Sequence, residues 1–288
     1  MRNLKAPVLI LLILILALAG KMVLPQFAQK KSPYEQVVAT IDKDAISSVS
    51  ITTKNESVAL TRENDTWKIS GKHADKDKVE DLIKQLTIHE GVQLIAQTEQ
   101  RHKELGVATG QATEVKVGDI SFYVATPSAA GALVRPANGD DVYLVPGISS
   151  FLLSTTSSYW IDMTLISYGI DQYNRIEFAR TKERFTLVKQ DEKWMIENGK
   201  EVKSEKWDPV AQKISYLVAD GSLGEEKIRE YPKLSSLTMT VSAGNEKETL
   251  TFFQGKDNYL VIRGSDGGYF VVNSDKAEAL LLSQQDLL

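Results

Sequence analysis

Apolar and polar residues alternate through residues 46–70 in a way that predicts three short strands. Val49 and Ile51, then Val58 and Leu60, then Trp67 and Ile69 fall on one face, with polar residues between them. Polar pairs at Lys54-Asn55 and Asn64-Asp65 supply the turns. The same pattern returns 127 residues later. Ile176, Phe178, Phe185, Leu187, Trp194 and Ile196 take the places of Val49, Ile51, Val58, Leu60, Trp67 and Ile69. Self-similarity at a fixed offset marks a repeated structural unit.

Each meander is followed by a change of period. Val79, Leu82, Ile83 and Leu86 are spaced i, i+3, i+4, i+7, which predicts a helix over 75–87 with Asp75 as its N-cap. After the second meander, Asp208 and Pro209 read as a helix start, with Val210, Ile214, Leu217 and Val218 as the apolar stripe. That places about four extra residues between Trp194 and its helix. Further strands are expected at 92–96, 114–117, 121–125, 133–135 and 142–145. Segments 131–153 and 258–282 both read as strand, Asn-Gly or Asp-Gly turn, strand and a short apolar helix. The fold class is therefore α+β: a tandem duplication of a strand-rich unit, an antiparallel meander plus one main helix. The boundaries are 1–24 for an N-terminal segment, 25–45 for a polar spacer, 46–160 for the first repeat and 161–288 for the second.

The first 24 residues break both periods. A basic start (Arg2, Lys5) precedes an uncharged run from Pro7 to Gly20, and apolar character resumes after Lys21. The run suits a signal peptide cut after Ala19, and it equally suits a retained single-pass anchor with Lys21 reaching the interface. The resumed apolar run favours the anchor. In either case the preceding positive charges place the body outside the cytoplasm.

Composition narrows the function by exclusion. Residues 1–24 carry three basic residues and no acid, so the remainder has 31 bases against 38 acids, a net charge of −7. That balance opposes binding to nucleic acid, which depends on neutralising phosphates. The chain has no cysteine, which rules out disulfides, thiolate catalysis and zinc–thiolate sites.

Candidate chemistry is sparse. His73, His89 and His102 stand apart, none at a metal-binding spacing, and are expected near exposed helix ends. Asp140-Asp141 follow Asn138-Gly139 and read as turn residues, too few for a calcium loop. The run Gly264-Ser265-Asp266-Gly267-Gly268 reads as a hairpin turn, not a phosphate cradle, because no helix follows it directly. Trp67 and Trp194 are expected in the core beneath their helices. Tyr159, Trp160, Met163, Leu165, Ile166 and Tyr168 concentrate apolar area where the repeats meet. They suit either a partner surface or the contact between the repeats. No residue is expected to serve catalysis, a cofactor or a metal.

The order of a basic apolar leader, a meander ending at Trp67-Lys68-Ile69, the Ala74-Asp75 helix start, a Leu105-Gly106-Val107 turn and Val142-Tyr143-Leu144-Val145 resembles the bacterial domain-of-unknown-function 4340 family. The resembling segments are 49–86, 105–117, 133–151 and 160–185. The family's Gly-Leu stands here as Gly106-Val107 and its Arg-Asp as Ile161-Asp162. The resemblance implies a non-enzymatic, membrane-tethered envelope protein, accessory to ABC-type export systems such as those of gliding motility. The expectation is thus an extracytoplasmic binding or scaffold protein on the bacterial inner membrane. Its partners would be the membrane, through residues 1–24, and an envelope protein, with ABC transporter components as candidates. The alternative is an extracytoplasmic hydrolase that attacks envelope polymers through paired acidic residues.

Overall fold

A computed structural model describes residues 33–88 and 90–288. The apolar leader, the Ala19 cleavage position and His89 lie outside the described residues. Among the described residues, no helix is long and apolar enough to cross a membrane. The chain is α+β and strand-rich, with few helices and two antiparallel sheets among the described residues.

The first sheet has nine strands. They are β1 (Ser48–Thr52), β2 (Ser57–Glu63), β3 (Thr66–Ile69), β4 (Lys72–His73), β5 (Gln93–Ala96), β6 (Thr113–Val117), β7 (Ile120–Val124), β8 (Ala132–Pro136) and β9 (Val142–Val145). Their order across the sheet is β4-β3-β2-β1-β6-β7-β8-β9-β5. The second sheet has eight: β10 (Arg175–Ala179), β11 (Arg184–Gln190), β12 (Lys193–Ile196), β13 (Gly221–Ser222), β14 (Leu237–Ala243), β15 (Glu246–Gln254), β16 (Asn258–Arg263) and β17 (Tyr269–Asn273). Their order is β12-β11-β10-β14-β15-β16-β17-β13. From β3 onward the first order matches the second position by position. β4 has no strand counterpart, and at the corresponding place Met195 and Glu201 form a single bridge.

The alternation predicted at the sequence level appears directly in burial. In β1, Val49 and Ile51 are buried; in β10, Ile176 and Phe178 are. The β2–β3 hairpin turns at Asn64 and Asp65, with φ of 47° and 65°. The β11–β12 hairpin turns at Asp191 and Glu192 with the same two values. Two consecutive positive φ angles are what a two-residue turn needs to match strand twist, and asparagine and aspartate tolerate them best.

Among the described residues the α-helices are α1 (Pro33–Val38), α2 (Lys76–Leu86), α3 (Ser157–Trp160), α4 (Ser204–Ile214) and α5 (Ser274–Glu278). Helix α2 forms where the sequence predicts it, with the Asp75 carboxylate accepting from Lys78 N at 3.2 Å. Val79, Leu82, Ile83 and Leu86 are buried against the first sheet. Each such side chain contributes about 1.5–3 kcal/mol by leaving water.

Two readings need correction. Helix α4 starts at Ser204, four residues before Asp208, and Pro209 lies inside it. Its buried face is Trp207, Ala211 and Ile214, whereas Val218 lies beyond the helix and is exposed. The force that moves the start is Trp207, which is buried against Trp194 with ring centroids 5.3 Å apart. Burying an indole outweighs the roughly 3 kcal/mol cost of an interior proline. Residues 33–38, inside the expected 25–45 spacer, also form a helix that packs into the first core. Tyr34, in α1, is fully buried, and its hydroxyl donates to Leu86 O at 2.6 Å.

One large apolar core lies under each sheet. Trp160 belongs to the first core; Leu165, Ile166 and Tyr173 belong to the second; Ile161 packs against both. The large apolar side chains of 159–173 are thus divided between the two cores, and Ile161 touches both.

Candidate functional site

Two concave regions stand out. The larger, about 720 Å³, lies at one end of the first sheet. Pro33, Val37 and Thr40 beside α1 form one wall. The β6–β7 turn at Asp119–Ser121 and the β8–β9 turn at Pro136–Asp141 form the others. Three carboxylates line it (Asp119, Asp140 and Asp141), and among the described residues no basic side chain does. Asp141 accepts the Tyr143 hydroxyl at 2.9 Å. Burial, followed by that contact, pushes the Tyr143 phenol well above its ordinary range.

The β8–β9 turn is held from behind. His102 is buried, and its Nε2 lies 2.8 Å from Asp140 O, so this nitrogen carries the proton. This corrects the expectation of an exposed His102: the charged residues around it point outward while the ring turns in. Arg135, also buried, donates to Val107 O at 3.2 Å and Gly139 O at 3.3 Å, and stacks on Tyr123 at 4.4 Å. Neither residue stands out in sequence, because each depends on a carbonyl distant along the chain, Asp140 O for His102 and Val107 O for Arg135.

The smaller region, about 340 Å³, lies where the halves meet. Its centre is the β16–β17 turn. Arg263 Nε and Nη2 donate to the two oxygens of Asp266 at 3.0 and 2.6 Å, and Nη1 donates to Asp162 O at 3.0 Å and Thr164 O at 2.6 Å. Both side chains are buried, at 2% and 0% exposure. Asp266 also accepts the backbone N–H of His73, in β4, at 2.7 Å, and Lys72 Nζ donates to Gly267 O at 2.6 Å. Burial raises the Asp266 carboxyl, but hydrogen bonds from Arg263 and from the N–H groups of His73 and Gly268 outweigh it and leave it at about 2. His73 Nδ1 is 4.0 Å from the same carboxylate.

The rest of this region is equally engaged. Glu248 accepts from the N–H groups of Thr249, Gly264 and Ser265 at 2.9, 3.1 and 3.1 Å. Tyr168 donates to Glu246 at 2.6 Å, and burial together with that carboxylate pushes its phenol up to about 12. Gly264–Gly268 is thus a hairpin, as predicted, but one that clasps the first sheet.

No group of three or more His, Cys, Asp or Glu side chains among the described residues is placed to hold a metal ion. A glycosidase-type mechanism calls for two carboxylates set in a cleft, one with a raised pKa. Asp119 and Asp140 are exposed on turns, and Asp141 is tied to Tyr143. Trp67 and Trp194 are both buried under their helices, in equivalent strands.

A family model described as a domain of unknown function, DUF4340, matches residues 67–236, more than half of the chain. The chain belongs to the DUF4340 family. The DUF4340 match begins at Trp67 in β3, runs across the junction and ends just before β14. Arg263 and Asp266 lie beyond it. No curated protein matches the chain, and no solved structure does.

Proposed function

We propose that this DUF4340 protein is a membrane-tethered, extracytoplasmic binding or scaffold protein, built by tandem duplication of one sheet-and-helix unit. Its place is the bacterial inner membrane, single-pass, with the body on the outer side and an accessory role beside an ABC-type transport system. The observation that carries the reading is the joint. Two charged side chains buried together, Arg263 and Asp266, are committed to holding one sheet's hairpin against the other sheet's edge. A molecule that fixes two broad sheets relative to each other presents a surface of defined shape, as a scaffold requires. The basic, apolar leader supports the tether, and the matching strand orders support the duplication.

The test is recovery of the intact chain from membranes after cross-linking. Enrichment of an envelope protein, with ABC transporter components foremost, is the expected outcome. Absence of any membrane partner would sink the reading. Cell fractionation checks the tether: a soluble product lacking residues 1–19 would show cleavage after Ala19 instead of retention.

A further inference from the structure

The two sheets carry a cleft at the same place. By strand order, the β6–β7 and β8–β9 turns of the first sheet are the counterparts of the β14–β15 and β16–β17 turns of the second. The registers agree: Phe122 faces Pro136 as Leu250 faces Arg263. The larger cleft lies beside the first pair of turns, and the smaller beside the second pair. Each is backed by the segment that precedes its sheet, 33–40 in one and 162–168 in the other.

The clefts differ in what meets them. In the second, about 340 Å³, His73 of β4 forms part of the wall, so an edge strand of one half rests on the other half's turn. Lys72 Nζ donates to Gly267 O and lies 4.9 Å from the centre of the Tyr269 ring, while His73 N donates to Asp266. Among the described residues nothing from the second half lines the first cleft, about 720 Å³. The place of β4 in the second half belongs to Lys200 and Glu201. Ile69 pairs with Lys72, and its counterpart Ile196 donates its N–H to Lys200 O at 2.8 Å. Lys68 pairs with His73, and Met195 bridges to Glu201. Lys200 is exposed, and Glu201 beside it is paired with Lys193 at 2.8 Å.

We propose that the first sheet's cleft docks the Lys200 edge of a second copy, so that copies join head to tail by the kind of contact that joins the halves within one copy. The internal joint shows what such a cleft takes: a short edge led by a lysine. Charge selects the same occupant. Asp119, Asp140 and Asp141 line the cleft. By hairpin register Asp140 stands where Gly267 receives Lys72, so the turn offers a carboxylate to an arriving ammonium. Residues 25–288 carry a net charge of −7, which opposes copies at long range. Salt of about 0.15 M screens charges more than about 8 Å apart, so groups in contact decide the balance. The two surfaces differ, which makes the contact heterologous and leaves each end of a row of copies free to extend.

Docking of this kind rests on the matched sheets and needs neither the tether nor the transport role. Its test uses the full-length chain, whose lack of cysteine makes any introduced thiol unique. Asn138→Cys, at the cleft, and Lys200→Cys are mixed under mild oxidation. Disulfides between positions 138 and 200, read by peptide mass spectrometry, should exceed the statistical share several-fold over 138–138 and 200–200 products. In sedimentation equilibrium, Lys200→Glu or Asp140→Lys alone should weaken self-association at least about fivefold, and the two together should restore it. Both positions are exposed, so circular dichroism and melting temperature should not change. Raising salt from about 0.05 M to about 0.5 M should weaken association, the opposite of what relief of net repulsion would do. Statistical cross-linking, a monomer up to about 100 µM, or association that salt strengthens overturns the proposal. A monomer that recovers an envelope partner through this cleft overturns it as well and leaves the proposed function standing.

Discussion

Asp266 carries the sharpest expectation at the scale of single residues. Its carboxyl is held at about 2, below the ordinary 3.8. A lowered carboxyl contributes stability above the unfolded value and loses it as pH falls through the folded one. The wild type should therefore lose about 2 kcal/mol between pH 4 and pH 2 through this group, and Asp266→Asn should lack that part of the slope. Urea titrations of both proteins across that range check it. Asp266→Ala leaves the Arg263 charge buried without its partner and should cost about 3–5 kcal/mol at neutral pH. Trp207 gives a second expectation. Its indole Nε1 is buried with no hydrogen-bond partner among the described residues, a fault worth about 1–3 kcal/mol. Trp207→Phe removes that donor while giving up part of the ring volume, so it should remain within about 1 kcal/mol of wild type in chemical denaturation. Trp194→Ala should cost about 3–5 kcal/mol. The burial of Trp67 and Trp194 was legible in sequence because alternation around them fixes their face. The Arg263–Asp266 pair was not. An arginine and an aspartate three apart in a turn are ordinary surface residues until Asp162, Thr164 and His73 close over them.

Elements were legible where local signals and burial agreed. The β2–β3 and β11–β12 hairpins and helix α2 all lie within a residue or two of where alternation, turn residues and the Asp75 cap place them. Helix α4 shows what happens when they conflict. Asp208-Pro209 is a strong start signal, yet the helix begins earlier because its packing needs Trp207 on the inner face. Both main helices are 11 residues long and start 128 residues apart, so one residue, not four, separates their spacing from that of the tryptophans. The proline inside α4 leaves the carbonyl of Glu205 without its helical donor. Pro209→Ala should restore that bond and raise stability by about 1–3 kcal/mol, visible as a higher melting temperature. A lower one would mean that the proline ring itself packs against the core. The two-residue β4 and the place of β5 at the end of its sheet could not be read from periodicity, since strand order depends on contacts distant along the chain.

At the scale of the molecule, the clasp makes the two halves depend on each other. Asp162 N donates to His73 O at 2.9 Å, and Lys72 Nζ to Gly267 O at 2.6 Å. Together with Arg263 and Asp266 these contacts should give a single unfolding transition in calorimetry. Asp266→Ala should split it in two, and two transitions in the wild type would contradict the coupling. The strand orders carry a separate consequence, for the time course of folding. Most neighbouring strands are neighbours in sequence, so their hairpins close quickly. β1 with β6 and β10 with β14, inside each sheet, are different, as are β5 with β9 and β13 with β17 at the edges. Ile51 faces Val115 and Phe178 faces Met239, so each pairing closes a loop of about sixty residues before any contact rewards it. Refolding should therefore wait on these two central seams. Replacing Val115 or Met239 with alanine should slow refolding more than it speeds unfolding, whereas replacing Asn64 in the β2–β3 turn should leave the refolding rate nearly untouched.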